Sequence, residues 1–211
     1  MTSNKTKAIC RVALLCFSLG AHQGYSLPTG MQVITGNASI SSSISNQQIT
    51  VTDKTILNWS DFSIGSNETV QFLQPGVSSV ILNRVTGGMP SEILGSLLAN
   101  GQVFLINQNG IIFGKDSTIQ VGSLIASTLD ILDDAFLQGG DILFSGDSTS
   151  QVINLGTIKA PDGDIILIGR FIANEGIIEA KHAYAAAASE VLLKQQGSER
   201  IFIRPKELFS D

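Results

Sequence analysis

The feature that most constrains this chain is the shortness of its apolar runs. Hydrophobic residues come in bursts of three to five, separated by Gly, Asn, Asp and Ser, and no 3.6-residue period persists over a long window. That is a strand pattern. Between Asn100 and Gly122, the bursts Val103-Phe104-Leu105-Ile106, Ile111-Ile112-Phe113 and Ile119-Gln120-Val121 begin 8 residues apart. The segments between them, Asn107-Gln108-Asn109-Gly110 and Gly114-Lys115-Asp116-Ser117-Thr118, are turn sequences. Strands so short and so evenly spaced suit either a meandering sheet or the successive sides of one parallel β-helix coil.

A repeat favours the coil. The stretch Val152-Ile153-Asn154-Leu155-Gly156-Thr157-Ile158-Lys159-Ala160 realigns with Ile172-Ala173-Asn174-Glu175-Gly176-Ile177-Ile178-Glu179-Ala180, matching Asn, Gly, Ile and Ala at an offset of 20. One solenoid coil of short strands and turns needs a period of about twenty residues. Stacking at the strand spacing of ~4.8 Å would set Asn154 over Asn174 as a side-chain ladder, flanked by Gly156 and Gly176, with Ile158 over Ile178 inside. Residues 31–51 carry isolated Val and Ile among Ser, Asn and Gln, which predicts short strands covering the open first coil. Residues 91–99, with Glu92 near their start, are the best candidate for a helical turn. Residues 182–196 have helix-forming composition, yet Val191-Leu192-Leu193 and Ile201-Phe202-Ile203 would also serve as strands of a further coil.

The N-terminus restricts the chemistry. Lys5, Lys7 and Arg11 precede a short apolar run from Val12 to Ala21, which predicts an export signal cleaved after Ser26 and a mature chain beginning at Leu27. Cys10 and Cys16, the chain's two cysteines, and His22 would leave with it, so His182 is the one remaining histidine. Thiolate nucleophiles, disulfides and His-rich zinc sites then lack their ligands or bases. Removal of three basic residues leaves ten against eighteen acidic ones, with no basic stripe for nucleic acid. No cofactor or metal site is expected.

Individual candidates read mostly as structure. Gly110-Ile111-Ile112-Phe113-Gly114-Lys115-Asp116 falls one residue short of a phosphate loop and lacks its hydroxyl. Asp162 and Asp164 could act as an acid/base pair of a β-helix polysaccharide lyase or hydrolase, although Pro161-Asp162-Gly163 is itself a turn sequence, and Asp133-Asp134 lies in a polar-ended connection. His182 has no identifiable partner. Trp59 and Phe62 alternate with polar residues and read as core.

Four stretches, taken in order, resemble the N-terminal secretion domain of filamentous-haemagglutinin-type exoproteins, the passengers of two-partner secretion in Gram-negative bacteria. They are Leu27-Pro28-Thr29-Gly30; Asn58-Trp59-Ser60-Asp61-Phe62-Ser63-Ile64-Gly65; Ser79-Val80-Ile81-Leu82-Asn83-Arg84-Val85-Thr86-Gly87-Gly88; and Gly101 through Gly114. They span residues 27–132, and Asn-x-Gly-x-Ile coils continue to about Ala180. The resemblance implies an all-β fold, a right-handed single-stranded parallel β-helix with N-terminal capping strands over 27–180, followed by a last coil or C-terminal cap over 181–211. It implies recognition of the unfolded chain by periplasmic domains of an outer-membrane β-barrel transporter. Secretion or surface display would follow, with adhesion to a host or neighbouring-cell receptor or glycan as the purpose. The implied recognition motif is Asn107, Gln108, Asn109 and Gly110, in which Gln108 stands where the family signature Asn-Pro-Asn-Gly has proline. Asn83, Arg84, Gly87 and Gly88 form a second family motif, structural or recognitive. Family members usually run far longer, so a stand-alone passenger and a shortened, non-functional remnant are both open readings.

Overall fold

The computed structural model describes residues 27–194 and the backbone of 201–204; the expected export signal lies outside them. Two strands precede the coils, β1 (Gln32–Thr35) and β2 (Ala38–Ser42). The first coil then holds β3 (Asn46–Val51) and β4 (Thr55–Trp59). The second holds β5 (Thr69–Leu73), β6 (Val80–Val85) and β7 (Ser91–Ile93). The third holds β8 (Ser96–Ala99), β9 (Gln102–Asn107) and β10 (Ile111–Phe113). The fourth runs through β11 (Thr118–Gln120) and β12 (Ser123–Ser127), makes an excursion containing α1 (Asp133–Gln138) and β13 (Ile142–Ser145), and closes on β14 (Gln151–Asn154). In the fifth, β15 (Thr157–Gly169) turns a corner to serve two sides before β16 (Phe171–Asn174). β17 (Ile177–Ala187) begins the sixth. Finally β18 (Glu190–Leu193) and β19 (Ile201–Arg204) leave the coils and join β13 in an antiparallel sheet.

These about six turns form a parallel β-helix with three sides. The first side stacks β3, β5, β8, β11 and the opening halves of β15 and β17, all parallel. β4, β6, β9, β12 and the later halves of β15 and β17 make the second. The third is β7, β10, β14 and β16. As expected, the N-terminal strands cover the first coil, β1 antiparallel to β4 and β2 antiparallel to β3, so its edges are not left bare.

The interior explains the alternation on the first side. Inward residues such as Ile49, Val70, Phe72, Leu97, Ile119 and Ile158 are fully buried, while their strand neighbours face out. Each fully buried side chain of this size contributes about 1.5–3 kcal/mol, gained only when the next coil closes over it. Trp59 and Phe62 belong to this core, edge to face at 5.3 Å, and Phe62 stacks on Phe72.

The second side is buried on both faces. Ile56, Leu82, Phe104, Ile106, Ile125, Ile166 and Ile168 point outward and are covered by α1, β13 and β18 through Phe136, Ile142, Phe144, Val191 and Leu193. Phe104 meets Phe136 edge to face at 5.4 Å and stacks on Phe144 at 6.4 Å. Two-sided burial is why these strands read as continuous apolar runs.

Two expectations are corrected. Residues 91–99 form no helical turn; Ser91–Ile93 and Ser96–Ala99 are strands, because parallel pairing to Ile111–Phe113 and Thr118–Gln120 outweighs a weak local preference, and Glu92 stands exposed on β7. Within 182–196, the described residues to Leu193 are extended rather than helical. Val191-Leu192-Leu193 is nevertheless not a coil strand: it pairs antiparallel with β13 outside the helix.

Candidate functional site

The two quoted motif groups, far apart in sequence, lie on successive coils. Val85 at the end of β6 and Asn107 at the end of β9 are register partners, so the loops that follow, 86–90 and 108–110, stack at the corner between the second and third sides. Asn107 is fully buried and organises this corner. Its Nδ2 donates to Met89 O and to Ser91 Oγ, both at 3.0 Å, while its Oδ1 accepts from Asn109 N at 2.9 Å. The turn closes with Gly110 N donating to Asn107 O at 3.0 Å, and Gly110 O accepts from Ser91 N. Gly110 sits at φ +116, a conformation that favours glycine. Asn109, exposed, donates through Nδ2 to Gly87 O at 2.8 Å. Gln108 is exposed too, with its carbonyl held by Ser148 Oγ at 2.6 Å.

The second motif divides by role. A Cβ on Gly87 would fall 1.9 Å from Ser60 O, whereas Gly88 has no atom within 4 Å of that position. Asn83 is fully buried, accepting at Oδ1 from Trp59 Nε1 at 3.0 Å. Arg84 points the other way and clamps the excursion that covers the second side. Its Nε lies 2.9 Å from Asp130 Oδ1 and its Nη1 lies 2.8 Å from Asp133 Oδ1, and Nη2 donates to Ile131 O at 2.9 Å. Burial alone would lower the Arg84 pKa, but hydrogen bonds and charge from Asp130, then Asp133, hold it above the ordinary arginine value. Arg84, Thr86, Gly87, Gln108, Asn109 and Asp130 line an open cavity of about 310 Å³.

The repeat residues sit at another corner. Asn154 and Asn174 are register partners, and Asn154 Nδ2 donates to Asn174 Oδ1 at 2.7 Å while its Oδ1 accepts from Gly156 N. A Cβ on Gly176 would lie 2.2 Å from Gly156 O, and one on Gly156 would lie 2.4 Å from Gly114 O. Glycine recurs there because each coil rests on the carbonyl below it.

His182 does have a partner, contrary to the sequence-based expectation: its Nδ1 lies 2.9 Å from Asp164 Oδ1. Asp164 N donates to Ser123 Oγ at 3.1 Å, so Ser123, Asp164 and His182 form successive rungs of one ladder. A nucleophilic relay needs the imidazole between hydroxyl and carboxylate; here the aspartate is in the middle. Asp162 is exposed at the corner inside β15. Among the described residues no group of three or more His, Cys, Asp or Glu could hold a metal ion. Ser91, Ser148, Asp130 and Asp133 were not singled out for this corner from sequence. Ser148 reaches Gln108 across 40 residues, and no local pattern announces such a contact.

Comparison with known proteins agrees with this fold. The model of the TPS secretion domain family matches residues 23–205. A heme/hemopexin-binding protein of Haemophilus influenzae strain Rd is 40% identical over 169 residues, which are 73% of this chain and 18% of that protein. A second Haemophilus influenzae protein of the same name is 44% identical over 79 residues, 37% of this chain and 8% of the relative. The chain thus spans under a fifth of the length of these relatives. Among solved structures, the HMW1 secretion domain from Haemophilus influenzae superposes with TM-score 0.73 and 33% identity, covering 82% of this chain and 47% of that one. A filamentous hemagglutinin secretion domain shares the fold with TM-score 0.57 and 17% identity, covering 86% and 68%.

Proposed function

The chain belongs to the TPS secretion domain family, and from that premise we propose that it is the part of a two-partner secretion passenger that an outer-membrane transporter recognises and exports. The family match over 23–205 carries the reading. In this proposal a signal within 1–26 takes the chain across the inner membrane, and periplasmic domains of the transporter then engage the unfolded chain at Asn107, Gln108, Asn109 and Gly110. The burial of Asn107 supports an unfolded substrate, because in the closed coil its amide is already committed to Met89, Ser91 and Asn109. The protein ends outside the cell or on its surface and acts there by binding rather than catalysis.

Replacing Asn107 or Asn109 by Ala tests the motif in cells that carry a matched transporter. Export of both variants should fall. Because Asn107→Ala also costs about 1–3 kcal/mol by orphaning its partners, export is compared with the melting temperature of each purified variant. Undiminished export by both removes the motif assignment.

For the purpose of export, the resemblance to filamentous haemagglutinin suggests adhesion to a receptor or glycan, whereas the 40% identity to a protein named for heme and hemopexin binding favours capture of those ligands. Titrating haem into the purified chain and following its visible absorption separates a site on this chain from one carried elsewhere.

A further inference from the structure

Two peptide bonds in the sequence join Asn to Gly, Asn100-Gly101 and Asn109-Gly110. In an open chain this pair reacts with itself. The glycine nitrogen, unhindered by any side chain, loses its proton and attacks the asparagine Cγ; a C–N bond forms, ammonia leaves, and water opens the resulting succinimide to aspartate or isoaspartate. No oxidant or partner is needed. The reaction requires a free carboxamide that can swing over its own peptide and a glycine N–H free to lose its proton.

At both sites the stacked coils hold both reacting groups. Asn109 Nδ2 donates to Gly87 O at 2.8 Å and lies 3.3 Å from Asn107 Oδ1, and Gly110 N donates to Asn107 O. Asn100 is held by the preceding coil in the same manner. Its Nδ2 donates to Gln74 O at 2.7 Å, its Oδ1 accepts from Gln74 N at 2.8 Å, and Gly101 N donates to Gln74 Oε1 at 3.2 Å. Both asparagines are exposed, so water reaches their side chains.

We propose that Asn100 and Asn109 are deamidation sites gated by folding, reactive while the chain is open and protected once each coil has closed on the one before. The product cannot restore the contacts. A carboxylate at 109 would face two acceptors, Gly87 O and Asn107 Oδ1, and one at 100 would face Gln74 O; the isoaspartate form also lengthens the main chain within the turn. Deamidation therefore weakens the contact between successive coils, and this holds whether or not the export reading is correct.

The test is to incubate the full purified chain at mildly alkaline pH, in buffer and in concentrated urea, and to map peptides by mass. In urea both sites should gain one mass unit, while Asn37 and Asn67, followed by Ala38 and Glu68, serve as slower internal references. In buffer both should react at least about tenfold more slowly, since only locally opened molecules react. Equal rates in the two arms overturn the gating. Asn109→Asp and Asn100→Asp, which copy the product, should each melt about 2–4 °C lower; variants as stable as the parent overturn the claim that deamidation weakens the closed coils.

Discussion

Gly87 and Gly88 are neighbours of the same type with different reasons for being there. At Gly87 any Cβ collides with Ser60 O, a main-chain atom that cannot rotate away. Gly87→Ala should therefore cost about 1–3 kcal/mol as an overpacking change. Gly88→Ala meets nothing and should stay within about 0.5 kcal/mol of the parent. Urea midpoints of the pair check this, and equal effects would show that the corner is looser than the coil stacking requires. Gln108 gives the opposite case. It follows Asn107, the last residue of β9, and occupies the second position of the turn closed by Gly110 N and Asn107 O. Gln108→Pro restores the family signature and should stabilise by about 0.4–1 kcal/mol through the unfolded state, read as a raised melting temperature.

At the scale of elements, the excursion between β12 and β14 is an outer layer docked on a completed helix. Apolar contact to Phe104 and Ile125 holds its inner face, and Arg84 and Lys54 hold the two ends of α1, with Lys54 Nζ donating to Leu137 O at 2.6 Å. Arg84→Met removes charge-assisted hydrogen bonds worth about 1.5–3 kcal/mol. Faster amide exchange should then appear in α1 and β13 while β9 stays protected. A uniform loss of protection would mean that the outer layer and the coils open as one unit. The raised pKa of Arg84 sets the pH range. A cation stabilised by folding contributes fully below its unfolded pKa and is lost only as pH rises through the folded one, so the arginine itself should not release the layer at neutral or mildly alkaline pH.

Over the whole molecule, the strands of each coil pair only with those of neighbouring coils, and the chain's two cysteines lie at positions 10 and 16, outside the repeat. No disulfide can tie one coil to another. Thr118 and Thr157 are register partners on the first side, at the ~4.8 Å separation of parallel strands that a disulfide spans. The double variant with Cys at both should form that link in an oxidising periplasm and remain there, and reductant should restore its export. Efficient export of the oxidised form would contradict passage as an unfolded chain.

The sequence alone determined the strand character, the coil period and the order of the motifs, because those are written along the chain itself: short apolar bursts, Asn-Gly turns and an Asn-x-Gly repeat at an offset of 20. It also placed Trp59 and Phe62 in the core. Only the tertiary structure decided where long-range pairing outweighs local preference. Residues 91–99 became two strands through their neighbours on adjacent coils, Val191-Leu192-Leu193 went to an outer sheet, and Arg84 found its first carboxylate, Asp130, 46 residues away. The second side already advertised its double burial in runs such as Val103-Phe104-Leu105-Ile106, yet a run that is apolar on both faces does not say what covers the outer one. That information lies in the partner segment, and only folding brings the two together.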